Sequence, residues 1–295
     1  MESAARATAY DRLSPALADR GQPGLVLRSL GTKAGAVDRR AYDRFSELRD
    51  EFKARVAAWS AALPGLADAQ RRLAVETGDT GYAVETPIVY NRALDEVGPG
   101  DDIAWLVVAD NPGKREQEAA MNRYLVGRSG QAAERFFARE LGIDFRRQVV
   151  VVNKTPVHTP KTAQLRKLAR IIPEAGPVLE ESQRYMAALV PELQACLGAR
   201  VWVMGLSELR PKGLFEAWRA ALNEAYRLAD ADALGRSLPA PSKGLYGFNH
   251  FSMGSFATDL KRRRASGEPV VDAVLRIGAE NRPRLLDLST DAPFL

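Results

Sequence analysis

The chain has 295 residues, 46% of them hydrophobic, enough to bury one large core or two modest ones and too many for a disordered polymer. Its 42 Lys and Arg exceed its 37 Asp and Glu by five, a mild positive excess that suits a nucleic-acid partner without requiring one. The lone cysteine, Cys196, excludes an internal disulfide, an iron-sulfur cluster and any zinc site built from several thiolates, and no apolar run has the length of a membrane span. Behind Met1-Glu2-Ser3-Ala4-Ala5-Arg6 there is no apolar stretch of the signal-peptide kind, so a reducing, cytoplasmic location is expected.

Residues 1–84 read as a helical N-terminal extension. Its clearest helix runs from Tyr42 to Leu63, where Phe45, Leu48, Phe52, Val56 and Trp59 recur at steps of three and four and form a stripe suited to docking on the main domain. Gly78 to Gly81, Pro87 and Gly98-Pro99-Gly100 then punctuate the chain. Beyond them short apolar runs alternate with helical stretches: Ala104 to Ala109, Gln148 to Asn153, Arg200 to Gly205 and Leu245 to His250, with a helix over Val178 to Leu197 ahead of the third run. Runs without polar alternation are expected of strands covered on both faces. The order predicts an α/β fold, a three-layer α/β/α arrangement around a central, mostly parallel four-stranded sheet, with residues 85–265 as the main domain and 266–295 as a C-terminal helix and tail.

Each predicted strand ends in a polar or small residue: Asp110-Asn111, Asn153, Gly205, and Asn249-His250. One asparagine at a strand end is ordinarily a turn former. Four such ends in a parallel sheet lie along one edge, where open α/β sheets bind their ligands. After Asp110-Asn111, Pro112 stops the strand and Gly113 permits close backbone approach. His250 stands out because the chain has only two histidines, the other being His158 in the loop after the second strand.

Taken in order, these motifs resemble those of the uracil-DNA glycosylase superfamily over residues 85–265. Ala109-Asp110-Asn111-Pro112-Gly113 is similar to its first motif, most closely the single-strand-selective and mismatch-specific branches. Pro112-Gly113-Lys114-Arg115-Glu116 and Tyr124-Leu125-Val126-Gly127-Arg128-Ser129-Gly130 are similar to the PGxxE and VGxxG elements of the thermophilic-type branch. Val149 to Asn153 matches the strand ending in asparagine, Gly205 the glycine ending the next strand, and His250-Phe251-Ser252 loosely the histidine loop.

The resemblance implies hydrolysis of the N-glycosidic bond of a flipped base. It makes His250 the donor to the departing base and Asn111 the holder of the attacking water, with Asp110 assisting. Asn153 would read the base edge through one donor and one acceptor, with Gly113 beside the base. A ring usually stacks on the base where this chain has Leu125, so either Tyr124 or Phe251 substitutes or the pocket prefers another base, and Phe251 stands where proline is usual. Phosphate contacts would come from Lys114, Arg115, Ser129, Ser252, Gly254 and Ser255, and a duplex wedge from Met253 or Phe256. Two basic clusters, Lys161-Arg166-Lys167-Arg170 and Lys261 to Arg264, follow site strands. The expectation is a DNA-binding monomer that uses no cofactor or metal. A non-catalytic relative that binds DNA or a nucleotide, and an enzyme for another lesion such as hypoxanthine or mismatched thymine, are the alternatives.

Overall fold

The computed structural model describes residues 36–81 and 83–287. The expected N-terminal extension over 1–84 and C-terminal tail over 266–295 therefore lie partly outside the described residues.

Helix α1 (Arg39–Ala62) begins three residues before Tyr42, the start read from the sequence, where the Asp38 side chain accepts from the backbone N–H of Ala41 at 2.8 Å. It buries Phe45, Leu48, Phe52, Val56 and Trp59, the stripe read from the sequence. Helix α2 (Leu66–Glu76) follows. The four strands are β1 (Trp105–Ala109), β2 (Val149–Asn153), β3 (Arg200–Met204) and β4 (Leu245–Phe248), paired in the order β2-β1-β3-β4 and all parallel. Between and after them lie α3 (Arg128–Glu140), α4 (Phe145–Gln148), α5 (Leu165–Ile171), α6 (Ala175–Leu197), α7 (Glu216–Gly235), α8 (Ser255–Arg263) and α9 (Val270–Glu280).

Because side chains alternate along a strand, each strand feeds two cores. Leu106, Val108, Val150, Val152, Val201, Val203 and Leu245 pack with α1, α6 and α7, while Trp105, Val107, Val149, Val151, Trp202 and Phe248 pack with α3, α8 and α9. The second core is aromatic: Trp202 stacks on Phe248 at 3.8 Å and Phe136 meets Phe256 edge-on at 4.8 Å. Three layers result.

Neither sequence boundary divides a core. Residues of α1 share one cluster with the strands, and α9 packs on β4 so closely that a side-chain carbon at Gly278 would overlap Phe248. β4 stops at Phe248, so Asn249 and His250 begin a loop. No described helix is long and apolar enough to cross a membrane.

Candidate functional site

The carboxyl ends of β1, β3 and β4 open onto one cavity of about 780 Å³. Its wall takes Ala109, Asp110, Asn111, Gly113, Glu116, Leu125 and Ser129 from the β1 side, Thr159 and Thr162 from the loop after β2, Gly205 after β3, and Asn249, His250, Ser252, Met253 and Ser255 after β4.

Asp110 is the first residue past β1, and its Oδ1 accepts from the Lys154 ammonium. Gly205 has φ 74°, and a Cβ there would strike the Asp110 carboxylate, so glycine serves both the turn and the close approach. On the far side, His250 is fixed by its own loop. Its Nδ1 accepts from the Ser252 N–H at 3.0 Å, and its carbonyl accepts from the Phe256 N–H at 3.1 Å. An Nδ1 that accepts leaves the ring proton on Nε2, so the neutral imidazole is an Nε2–H donor. Burial lowers the pKa of His250 and favours that neutral form; Asp110 opposes the shift and Lys154 reinforces it.

Asn111 lies in the cavity wall but its amide is committed to the loop after β2. Oδ1 accepts from Thr162 Oγ1 at 2.8 Å and Nδ2 donates to Thr159 Oγ1 at 3.0 Å. The donors expected to hold a water instead clamp two loops together. His158 supports the same turn from below: fully buried, it donates from Nδ1 to the Pro112 carbonyl at 2.8 Å, and desolvation lowers its pKa to about 4.

Asn153 ends β2 opposite Ala109 in the register. It is not part of the cavity wall. Its side chain is buried on the aromatic-core face of the sheet, and neither amide atom has a hydrogen-bond partner. An unpaired buried polar group costs about 1–3 kcal/mol, and Asn153 leaves both ends of its amide unpaired where Gln70 and Asn122 each leave only the oxygen.

The two ring candidates are corrected. Tyr124 is buried in the core with its hydroxyl donating to the Val89 carbonyl, and Phe251 stacks on Trp202 at 6.0 Å and lies 4.5 Å from Phe256. Both rings gain more by joining the apolar cluster than by standing in the cavity wall. Phe256 is buried in the same cluster, which leaves Met253 as the exposed apolar tip. Met253 (φ 53°) and Gly254 (φ 69°) both adopt left-handed backbone at that tip. Leu125 does line the cavity, also at positive φ (53°), and its carbonyl packs so tightly on Gly130 that no side chain fits there.

Gly113 and Ser129 are in the wall, Ser129 in the first turn of α3, while Ser252 and Ser255 flank the tip. Lys114 and Arg115 are exposed, and Lys114 pairs with Asp79. Of the basic clusters, Arg166 pairs with Glu208 at 2.8 Å, Lys167 with Glu76 at 3.2 Å and Arg263 with Glu280 at 2.6 Å, so these charges are already partly answered.

Two wall or near-wall groups were not assigned roles from the sequence. Glu116 is buried at the cavity; desolvation raises its pKa to about 7, opposed chiefly by the Gly113 N–H, which it accepts at 3.3 Å. Lys154 is wholly buried one residue past β2. Strand alternation signals it, because residue 154 continues the face of Val150 and Val152. Among the described residues no three His, Cys, Asp or Glu side chains gather as a metal site would need. No protein-family model matches the sequence, and no curated protein does.

Proposed function

We propose that this chain is a DNA glycosylase of the uracil-DNA glycosylase type, which flips a nucleotide, hydrolyses its N-glycosidic bond and leaves an abasic site. The observation that carries the reading is the convergence of Asp110 and His250 on one cavity at the sheet's carboxyl edge, with the imidazole proton fixed on Nε2. As the carbon-nitrogen bond breaks, negative charge gathers on the departing base, and an Nε2–H donor in a desolvated pocket stabilises it. The sugar becomes cationic, and a carboxylate is the group to face it and polarise the incoming water. Asp110 takes that role in preference to Asn111, whose amide holds the loops.

Asn153, the expected reader of the base edge, is buried outside the cavity wall and is given no contact with the base in this reading. Ser129, Ser252 and Ser255 lie where phosphates would pass, and Met253 is the wedge that fills the vacated stack.

The test is incubation with uracil-containing oligonucleotides followed by cleavage at abasic sites. Strand scission on single- or double-stranded substrate is expected, lost in His250→Ala. No scission on either, with known enzymes active in parallel, overturns the assignment, and a panel with hypoxanthine and mismatched thymine identifies the base. One observation favours a second reading, a non-catalytic DNA-binding relative: Leu125 stands at the expected stacking position, and among the described residues no Phe, Tyr or Trp lines the cavity. Salt-dependent DNA binding without base release would be its signature.

A further inference from the structure

We infer that Lys154 is a positioning residue of this site, an ammonium strut that fixes the Asp110 carboxylate and balances the charge felt by His250. Its Nζ donates to Asp110 Oδ1 past β1, to the Met204 carbonyl at the end of β3, and to the Gly205 carbonyl at 3.3 Å. The rings of Phe215 and Trp218, at 4.9 and 5.7 Å, close the remaining side of the charge. An ammonium has three protons and here meets three acceptors. Such a group is spent on holding strand ends together and has no lone pair for attack.

The titratable groups that act on this pair are Asp110, at the end of β1, and His250, after β4; β3 contributes backbone carbonyls and the α7 side contributes rings. Desolvation works against the charged lysine, and Asp110 offsets it. At His250 the two charges act in opposite senses, the lysine disfavouring the imidazolium and the aspartate favouring it. Removing the lysine leaves the aspartate acting alone, so His250 should take up its proton at higher pH and give up the Nδ1 acceptor that holds Ser252. Lys154 thus keeps the imidazole in the donor form that base departure uses.

The catalytic consequence rests on the glycosylase reading, but the electrostatic one is measurable without DNA. The full chain, ring-labelled at its two histidines, is titrated by NMR as wild type, Lys154→Met and Asp110→Asn, with single-turnover excision measured in parallel. Lys154→Met should raise the His250 midpoint and Asp110→Asn should lower it, with His158 unmoved. Excision in Lys154→Met should fall about 100-fold with DNA affinity retained. If Lys154→Met does not fold, Asp110→Asn alone decides.

A His250 midpoint that stays in place in the folded variants overturns the inference. So does capture of a Lys154 adduct with abasic DNA by borohydride, which would make the lysine a nucleophile. The expected midpoint shifts without excision by the wild type would support the strut and remove the glycosylase reading, so the two fail separately.

Discussion

Two loops leave the same edge of the sheet, one after β2 and one after β4, and each carries one of the chain's two histidines. Burial holds both rings neutral, yet they spend their nitrogens in opposite ways. His158 donates from Nδ1 to the Pro112 carbonyl and becomes a strut beneath the Asn111 turn, while His250 accepts at Nδ1 and keeps its proton on Nε2 at the cavity. Position at a strand end therefore does not distinguish scaffold from site. What distinguishes them is the part Nδ1 plays toward the backbone, donor in His158 and acceptor in His250.

The contrast breaks most visibly in paired alanine variants. His250→Ala should lower the rate of base excision by about 10²–10³-fold while leaving the melting temperature near that of the wild type, because a developing charge loses its donor. His158→Ala should instead cost about 2–4 kcal/mol in urea unfolding, from the cavity it leaves and the buried Pro112 carbonyl it strands, with activity following the folded fraction. Equal stability losses, or excision that survives in His250→Ala, would erase the distinction.

Acid sharpens the same comparison. The folded pKa of His158, about 4, lies below the ordinary histidine value of 6.5, so the unfolded chain takes the proton first. Stability is whole above about pH 6.5 and drains as pH falls toward 4, by roughly 3 kcal/mol. His158→Gln should abolish that dependence. Glu116 has the opposite sign: its carboxyl holds its proton to about pH 7 against 4.5 when unfolded, so stability is lost as pH rises through that window. Glu116→Gln should gain on the wild type by up to about 3 kcal/mol between pH 4.5 and 7. The two wild-type slopes overlap and oppose, so denaturant titrations of the single variants against pH are needed to expose either; parallel curves for wild type and variants would refute both assignments.

The fold was legible because its signals are local. Unbroken apolar runs named the four parallel strands, and the three-and-four spacing of Phe45 to Trp59 named the buried face of α1. The convergence of Asp110, Asn111, Gly113 and His250 was legible for the same reason, since parallel strands put their ends on one edge. What the sequence did not disclose depends on partners distant in the chain. Nothing at Asn111 signals that Thr159 and Thr162 will consume its amide, and nothing at Phe251 signals that Trp202 and Phe256 will draw it inward. Lys154 was readable in principle from strand alternation, but a lysine is so seldom buried that its exposure is the natural assumption.

The smallest effect on folding, and the most selective on function, belongs to the tip of the β4 loop. Met253 is fully exposed, so Met253→Ala removes no packing and should change stability by less than about 0.5 kcal/mol. An exposed apolar side chain held at positive φ beside a left-handed glycine is a costly arrangement for folding alone, and the cost is intelligible if a partner covers the side chain. On the proposed glycosylase reading that partner is the gap a flipped nucleotide leaves in a duplex, whereas single-stranded DNA has no stack to fill. Excision by Met253→Ala should therefore fall about tenfold on double-stranded uracil DNA, as burial of one methionine side chain would allow, and hold on single-stranded DNA. Equal losses on both substrates would show that the tip contacts the strand generally and does not act as a wedge, and the loop after β4 would then hold its site in His250 alone.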